Sequence, residues 1–563
     1  MRGHLSPPQI ALLVTGLLQD VCVPTVFLDN ATFVGTALSA HSIGFLGIPY
    51  SKSPVGDLRF RTPEPHTPYT GIVNATSFGP ACIQQHPADL VWMTVKIVGR
   101  VLPSGKGIQS SRTGLTLNVV VPAEVERGGL PVVFWIHGGG FEVGSSSQRP
   151  GDVIVDRSVD IGTPVVHVSI NYREFAEELH IVMGFPAGKE TREAGIGNLG
   201  LRDQRLALRW VRKYIAAFGG DPAKVMIWGQ SAGAMSVASQ MVTNNGDTES
   251  LFRAAWMHSG ATYPGGEVEG GALRGTQGIR PGFPDTTLGQ RYFDTFVKAA
   301  GCGDALGSPK VFDCLREVSL DNVREAIQST PDYFQYQSLA LAWSPRADGS
   351  FLVAPGHELL MQGKIADISL VSGVTDDEGT IFALTNSNIT TNAQLEEYLL
   401  EYFAPGDREA VSILLDAYPT DPAFGAPFDT GSQNTMTPQF KRIAALGGGL
   451  DLSGKQHVYS FLSKRVKWAE YLGAHHSSDL MNVFGPGDMT DYLIHFATTL
   501  DPNSAIEHEP HARALLHWPR YIPSSRQLLT FLDGDVPLAV QGDSFRGGSM
   551  QKMTEFIVKN PLP

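Results

Sequence analysis

The amino-acid sequence predicts an α/β protein with a mostly parallel central sheet and helices on both of its faces. Three observations support this prediction. Short runs that are apolar throughout recur along the chain, a helical segment lies between two of them, and hydrophobic residues make up 42% of the 563 residues. Strands that are apolar throughout belong to sheets covered on both faces, and strands alternating with helices are typical of parallel sheets. The composition is that of a globular protein with a large core.

The predicted elements follow one another without a repeat, a low-complexity tract or a charged linker, so we expect one domain over residues 23–563. Each strand is short and bounded by glycine, proline or polar residues. The predicted strands are 115–121, 131–136, 164–170, 225–228, 368–371 and 458–462. A helix is predicted over residues 201–218, where large apolar side chains such as Leu206 and Trp210 recur at helical spacing.

Charge and cysteine content exclude several classes of function. The chain has 43 Lys and Arg against 56 Asp and Glu, and contains no basic run, so nucleic acid is not expected as a partner. The four cysteines form no CxxC pair. In His508-Glu509-Pro510-His511, the proline interrupts the helix that would place both imidazoles on one face. We therefore expect neither a metal nor a cofactor.

The N-terminal segment suggests export from the cell. Residues 10–18 are mostly apolar and follow Arg2, which suits a signal peptide over residues 1–22 and is too short to span a membrane. An ordinary buried segment is the alternative. Sequons begin at Asn30, Asn74 and Asn388 and add weak support for secretion. In an oxidising compartment Cys302 and Cys314 are close enough in sequence to form a disulfide.

The sharpest local pattern is Gly229-Gln230-Ser231-Ala232-Gly233, which follows the apolar run at residues 225–228. Two glycines around a serine suit the strained strand-to-helix turn that exposes a nucleophilic hydroxyl. The bare pattern also arises by chance in glycine-rich chains. Because a predicted strand precedes it and small residues follow it, we interpret Ser231 as a nucleophile.

A nucleophilic serine needs donors for the developing oxyanion, and Gly138-Gly139-Gly140 follows another predicted strand. Three glycines expose backbone N–H groups, as such a loop requires. The alternative is a glycine-rich turn or a phosphate loop, but the sequence here contains neither GxGxxG nor GxxxxGK[ST].

The hydroxyl also needs a base, and the base needs an acid, in the chain order Ser, acid, His. Asp376, Asp377 and Glu378 follow the predicted strand at residues 368–371, and physical reasoning does not separate them. Of the sixteen histidines, His475 and His476 lie in a polar loop at the right point in this order.

At this point the residues resemble the type-B carboxylesterase and lipase family of the α/β-hydrolase fold, from about residue 24 to about residue 541. The motifs in family order are Gly47-Ile48-Pro49-Tyr50, Pro54-Val55-Gly56, Leu58-Arg59-Phe60, Asn171-Tyr172-Arg173, Gly197-Asn198-Leu199-Gly200-Leu201, Asp203-Gln204-Arg205 and Phe218-Gly219-Gly220-Asp221-Pro222. Further segments are most similar to fungal lipases and sterol esterases of the Candida rugosa lipase type: Pro345-Arg346-Ala347-Asp348-Gly349, Ala417-Tyr418-Pro419-Thr420-Asp421, Pro427-Phe428-Asp429-Thr430-Gly431 and Asp501-Pro502-Asn503.

The resemblance implies a serine ester hydrolase that acts on hydrophobic acyl esters. It selects Glu378 as the acid and His476 as the base for the nucleophile Ser231. The oxyanion donors would be the backbone N–H groups of Gly139, Gly140 and Ala232. A narrow-substrate hydrolase or acyl transferase is the alternative, and a catalytically silent binding protein is a less favoured one. The oligomeric state is not indicated.

The chain departs from the family pattern at two places. The family's lid corresponds to residues 82–114, and Ser111-Arg112-Thr113-Gly114 lacks the cysteine that would pair with Cys82 and the acidic residue that would face Arg59. Residues 90–102 of this loop are apolar, which suits a cover over an apolar cleft or contact with a lipid surface; a buried helix is the alternative. Residues 174–183 replace a shorter turn.

Overall fold

The computed structural model describes residues 23–81, 85, 115–124, 128–174, 183–262, 288–447, 458–465, 467, 469–503, 515–544 and 546–561. Outside the described residues lie the predicted signal peptide, Cys82, almost all of the predicted lid, residues 175–182 and the segment His508-Glu509-Pro510-His511. In the part of the chain that is described, no helix is both long enough and apolar enough to cross a membrane.

The described strands are numbered in chain order. They are β1 (Thr25–Leu28), β2 (Asn30–Val34), β3 (Thr36–Ala37), β4 (Ser42–Pro49), β5 (Thr70–Asn74), β6 (Thr116–Pro122), β7 (Leu130–Ile136), β8 (Val166–Ile170), β9 (Gly220–Gln230), β10 (Ala254–His258), β11 (Ser369–Thr375), β12 (Val458–Lys464), β13 (Gln527–Leu532) and β14 (Leu538–Gly542). Over these residues an eleven-stranded sheet has the order β14-β13-β12-β11-β10-β9-β7-β8-β6-β4-β3, and β1, β2 and β5 form a smaller sheet.

The described α-helices are α1 (Asp152–Asp160), α2 (Lys189–Glu193), α3 (Leu199–Tyr214), α4 (Ala232–Val242), α5 (Leu288–Ala299), α6 (Val311–Glu317), α7 (Leu320–Gln328), α8 (Gly356–Met361), α9 (Thr380–Ala383), α10 (Asn392–Tyr402), α11 (Arg408–Ala417), α12 (Phe440–Leu446), α13 (Leu480–Val483), α14 (Asp488–Thr499) and α15 (Gly547–Lys559). Short 3-10 helices cover Gly56–Leu58, Ser146–Gln148, Ile215–Phe218, Thr243–Gly246, Gly303–Ala305, Leu384–Asn386 and Pro422–Phe424.

Both faces of the large sheet are covered, which confirms the predicted α/β class. Every residue of β7 is buried, and its side chains alternate between two cores. Phe134 lies in the core that includes residues of α3 and α4, whereas Trp135 lies in the core that includes residues of α14. Strands buried on both faces have no polar side to alternate with, so their sequences are apolar throughout.

The centre of the large sheet is parallel. Strands β7, β9, β10, β11 and β12 are neighbours in that order, and each pairs in parallel with the next. The carboxyl ends of parallel neighbours meet at one edge of a sheet, where open α/β folds form their sites. Residues that follow these strands are therefore brought together.

The predicted elements are confirmed, with shifted ends. Strand β9 extends over Gly220–Gln230, and the predicted helix at 201–218 is α3 followed by the 3-10 turn Ile215–Phe218. Sequence analysis did not identify β10, β13, β14 or the N-terminal strands β1 to β5. The sequence of β10 is Ala-Ala-Trp-Met-His, and all five residues are buried. Its two alanines and its histidine make it less apolar than β7, so the apolar pattern does not indicate a strand.

The disulfide Cys302–Cys314 is present, and its second half lies in α6. The end of this helix also supplies acceptors to one nitrogen of Arg59, in place of the acidic partner that the family pattern would provide. Nη1 of Arg59 donates to the carbonyls of Leu315 and Arg316 at 2.8 and 2.9 Å, near the end of α6, and to that of Val318 at 2.9 Å. Carbonyls at a helix C-terminus lack partners within the helix and favour a cation.

A buried ion pair joins two of the sequence motifs. Arg173 and Asp203 are inaccessible to solvent, and Nε and Nη2 of the guanidinium contact the two carboxylate oxygens at 2.6 and 2.7 Å. Removing one partner of such a pair leaves an uncompensated buried charge.

We predict that Asp203→Ala lowers the free energy of unfolding by about 3–5 kcal/mol, because Arg173 would stay buried without its counter-charge. Urea denaturation measures this loss. The double variant Arg173→Met/Asp203→Leu is the control, since it removes both charges and should lose less. A single variant that loses under about 1 kcal/mol would contradict the prediction.

Candidate active site

The predicted site residues lie after three of the central parallel strands. Ser231 directly follows β9, Glu378 lies three residues after β11, and His476 lies in the loop between β12 and α13. The parallel register brings these segments to one edge of the sheet.

The turn at Ser231 is strained and tightly packed. Ser231 has φ 57° and ψ −126°, a conformation that residues other than glycine rarely adopt, and α4 begins at the next residue. Its backbone N–H donates to the carbonyl of His258 at 2.9 Å. A Cβ added to Gly233 would lie 2.0 Å from the carbonyl oxygen of Ile136, and one added to Gly229 would lie 2.5 Å from Gly233. Both glycines of the motif are therefore required sterically.

The three candidate acids have different partners in the structure. Physical reasoning from the sequence did not distinguish between them. Asp376 faces Nζ of Lys464 at 3.2 Å. Asp377 accepts hydrogen bonds from two backbone N–H groups. Glu378 reaches His476, with 2.5 Å between Oε2 and Nδ1, and its Oε1 accepts the N–H of Thr375 at 2.6 Å.

The charge of Glu378 is favoured by its surroundings. Burial alone would raise the pKa of this carboxyl, but the His476 imidazole and the hydrogen bonds around Glu378 outweigh burial, so the pKa is lowered. An ionised carboxylate beside Nδ1 orients the imidazole with its N–H toward Glu378 and leaves Nε2 as the acceptor.

The two neighbouring histidines also have different partners. His476 contacts Glu378, and its side chain is 13% exposed. His475 is buried, and its Nδ1 contacts the carbonyl oxygen of His476 at 2.8 Å. Burial lowers the pKa of His475, so its ring is neutral. Its contact with the His476 carbonyl stabilises the loop. The structure therefore brings His476, and not His475, to the acid.

Asp377 fastens the acid turn to the histidine loop. Its Oδ2 accepts the N–H of Ala474 at 2.8 Å, its own N–H donates to the Ala474 carbonyl at 3.0 Å, and its Oδ1 accepts the N–H of Phe428 at 2.7 Å. Burial, followed by the charge of Asp376, raises the pKa of Asp377 to about 6. The residue next to the acid thus sets the distance between the acid and base segments.

The glycine loop after β7 leaves N–H groups available. Gly139 and Gly140 have φ 123° and 65°, and a Cβ on Gly139 would lie 1.7 Å from the Val143 carbonyl oxygen. The Gly139 carbonyl accepts two N–H groups of the following turn, whereas the N–H groups of Gly139, Gly140 and Ala232 have no hydrogen-bond acceptor among the described residues. Ala232 is the first residue of α4, where N–H groups have no partner within the helix.

Gln230 is a site residue that the sequence analysis did not identify. Its Nε2 lies 3.1 Å from Nε2 of His476 and donates to Oγ of Ser477 at 2.7 Å. The residue that precedes the nucleophile therefore reaches the ring nitrogen that a general base would use. Its position inside the Gly-x-Ser-x-Gly motif was the available signal.

A second imidazole–carboxylate pair, also missed, lies beneath the turn. Nδ1 of His258 and Oδ2 of Asp479 are 2.7 Å apart, and both side chains are inaccessible to solvent. His258 accepts the N–H of Ser231 through its backbone, and Asp479 lies three residues after His476. The pair thus links the support of Ser231 to the histidine loop.

Two buried carboxyl groups stand next to the glycine loop. Oε2 of Glu142 accepts the N–H of Tyr333 at 2.9 Å, and Oε1 of Glu174 lies 3.8 Å from Nδ1 of His137. Burial raises the pKa of both carboxyls well above the ordinary range and lowers that of His137 to about 4. Burial therefore favours the uncharged form of all three groups.

No group of three or more His, Cys, Asp or Glu side chains among the described residues is arranged to hold a metal ion. The chemistry that this arrangement allows is nucleophilic attack by a serine, assisted by an imidazole and a carboxylate.

Comparison with known proteins identifies relatives along most of the chain. The model of the carboxylesterase family matches residues 23–536. Lipase 4 of Diutina rugosa is 38% identical over 549 residues, which cover 92% of this chain and 93% of the relative. The secreted triacylglycerol lipase LIP1 of Gibberella zeae is 34% identical, with 95% of this chain and 90% of the relative covered.

Solved structures agree in fold. The crystal structure of Aspergillus niger EstA has a TM-score of 0.72 at 24% identity, covering 95% of this chain and 98% of the other. A PNB esterase has a TM-score of 0.69 at 24% identity, covering 94% and 99%. The predicted resemblance to fungal lipases and the α/β-hydrolase fold are both confirmed.

Asp377→Asn tests the connection between the acid turn and the histidine loop. In the folded protein the pKa of Asp377, about 6, lies above its ordinary value of 3.8. The folded state therefore binds this proton more tightly than the unfolded chain. Protonation of Asp377 therefore stabilises the folded state. This stabilisation is full below a pH of about 4 and is lost as the pH rises through about 6.

We predict that the wild type loses free energy of unfolding relative to Asp377→Asn between a pH of about 4 and about 7, as measured by urea denaturation. The amide also turns an N–H₂ group toward one backbone donor, so turnover should fall about tenfold. Equal pH dependence in the two proteins would contradict the assignment.

Proposed function

The chain belongs to the carboxylesterase family and is a carboxylic-ester hydrolase, and we propose that it cleaves hydrophobic acyl esters through an acyl-enzyme on Ser231. The observation that carries the proposal is the contact of Nδ1 of His476 with Glu378, while Nε2 of the same ring faces Gln230, the residue before Ser231. This ring orientation is the one that a general base for Ser231 requires.

In the proposed mechanism, Oγ of Ser231 attacks the ester carbonyl carbon while Nε2 of His476 takes its proton. Glu378 holds the imidazole tautomer and stabilises the imidazolium. His476 then returns the proton to the leaving alcohol. Water, activated by the same imidazole, hydrolyses the acyl-enzyme and restores the serine.

The oxyanion of each tetrahedral intermediate would be bound by the N–H groups of Gly139, Gly140 and Ala232. Their lack of other acceptors in the described residues supports this role, because donors already committed to the fold could not serve it. Ala232 adds the positive end of the α4 dipole. Loss of one such donor typically lowers turnover about 10²-fold or more.

The buried carboxyl groups of Glu142 and Glu174, next to the glycine loop, favour stabilisation of the oxyanion. Burial raises the pKa of Glu142 and of Glu174, which favours the uncharged form of both carboxyls near the developing oxyanion. An ionised carboxylate in their place would destabilise it.

The relatives support a substrate class and a location. Their names, lipase and secreted triacylglycerol lipase, support hydrophobic acyl esters as substrates of this chain. The names of two secreted relatives also support secretion, with residues 1–22 as a signal peptide and 23–563 as a single catalytic domain. The proposal includes contact of residues 82–114 with a lipid surface.

Hydrolysis of p-nitrophenyl esters from acetate to palmitate, with and without detergent, tests the proposal. We expect kcat/KM to rise with acyl length and Ser231→Ala to lose roughly 10⁴-fold or more. Ser239→Ala is the matched control, because its hydroxyl lies in α4, which follows Ser231, and among the described residues it donates to the Met235 carbonyl. Unchanged activity in Ser231→Ala would contradict the proposal, and preference for acetate would contradict the substrate class.

Gln230→Glu tests the ring contact. A carboxylate about 3 Å from Nε2 favours the protonated imidazole of His476, so a more alkaline pH is needed to free the base. We predict that the acidic limb of the kcat/KM pH profile moves up by about one pH unit or more. Gln230→Met, which is uncharged, should leave the limb in place; a shift in both variants would contradict the explanation.

A further inference from the structure

The small sheet of β1, β2 and β5 has two different faces. Val26, Leu28, Ala31 and Phe33 point inward and belong to the main core. The residues that alternate with them in sequence point outward, because successive side chains of a strand face opposite sides. The outward face is where this sheet meets solvent.

An apolar row crosses the outward face. Phe27 on β1 pairs with Thr32 on β2, and Thr32 pairs with Ile72 on β5. Phe27 is 66% exposed and Ile72 is 78% exposed. Two large apolar side chains on either side of one threonine form a patch that would favour contact between molecules.

Two of the sequons lie on this same face. Asn30 begins β2 and Asn74 ends β5, and both are exposed. The register pairs Asn30 with Thr70 and Val34 with Asn74, so the two asparagines lie on opposite sides of the Phe27–Thr32–Ile72 row. Each is two residues from the row, or about 7 Å along its strand.

The asparagine side chains are available for modification. Neither Asn30 nor Asn74 uses its amide in a hydrogen bond with the described residues. By contrast, the buried Asn118 and Asn171 bond through their amides to Ser146 and to the carbonyl of Pro80. Thr32 supplies both the centre of the row and the hydroxyl of the first sequon.

We propose that Asn30 and Asn74 carry N-linked glycans, which cover the Phe27–Thr32–Ile72 row and prevent self-association through this face. The donor would be an oligosaccharide linked through pyrophosphate to a polyisoprenyl lipid. Nδ2 of each asparagine bonds to the anomeric carbon of the first sugar and loses a proton, while the bond from that carbon to the pyrophosphate oxygen breaks and the lipid pyrophosphate leaves.

The position of the sites explains why two glycans would serve this surface. A glycan is bulky and solubilising. The Phe27–Thr32–Ile72 row is about 10 Å long, because it crosses three neighbouring strands. A glycan on each side of the row can extend over it from both directions. The proposal goes beyond ester hydrolysis and requires only that the chain pass through the secretory pathway.

The test uses the full chain secreted from a yeast host. The purified protein is treated with a glycosidase that releases N-glycans and converts each modified asparagine to aspartate, and peptides containing residues 30 and 74 are then weighed. We expect conversion at both positions. Conversion at Asn388 alone, or at none of the three, would overturn the proposal, as would retention of an unmodified chain in the cell.

Variants test what the glycans cover. Asn30→Gln/Asn74→Gln should self-associate, with a rise of about twofold or more in weight-average mass by light scattering. The control Thr32→Ser/Thr76→Ser keeps both sequons and should stay glycosylated and monodisperse. Adding Phe27→Thr/Ile72→Thr to the glycan-free variant should restore monodispersity.

Hydrolysis of p-nitrophenyl butyrate is measured on all the variants. It should stay within about twofold of the wild type, because the substituted residues lie on or next to the outward face of the small sheet and make none of the contacts described for Ser231, Glu378 and His476. A glycan-free variant as monodisperse as the wild type, or one not rescued by the threonines, would overturn the shielding role. Loss of hydrolysis in every protein would instead count against the proposed function.

Discussion

One close approach in the site joins two stretches of backbone, where Gly233 at the start of α4 meets the carbonyl of Ile136 at the end of β7. A side chain at Gly233 would come within 2.0 Å of that oxygen, so only glycine permits the approach. Because Ser231 lies two residues before this contact and the glycine loop begins two residues after Ile136, one steric constraint positions both the proposed nucleophile and the proposed oxyanion donors. The parallel register of β9, β10, β11 and β12 then brings the acid and base segments to the same edge.

Burial assigns different charge states to similar side chains in this region. The His476 imidazole and the hydrogen bonds around Glu378 favour its ionised form, whereas burial favours the uncharged forms of Glu142 and Glu174. Asp377 lies between these cases, with a pKa of about 6 and two backbone donors. Position in the fold therefore decides that the ionised form is favoured for Glu378, beside the imidazole, and the uncharged form for Glu142 and Glu174, beside the glycine loop.

The fold class, the central strands and the nucleophile turn could be predicted because their causes are local. Runs that are apolar throughout indicate strands buried on both faces of the sheet. The two glycines around Ser231 indicate a crowded strand-to-helix turn. The choice among Asp376, Asp377 and Glu378 depends on partners about 50 to 170 residues away, such as Phe428, Ala474 and Arg546. Physical reading of the sequence could not make this choice; the family resemblance selected Glu378, which is the carboxyl that contacts His476 in the structure. Gln230 and the His258–Asp479 pair were missed for the same reason, since their importance lies in contacts across strands.

The proposed ester hydrolysis depends most on Ser231 as the nucleophile and on its activation by His476 and Glu378. Labelling with a fluorophosphonate, followed by mass spectrometry of the peptides, tests this directly. The wild type should gain the phosphonyl group on Ser231 alone, and His476→Ala and Glu378→Gln should react more slowly by roughly 10³-fold or more. Labelling at another serine, or an unchanged rate in both variants, would contradict the account.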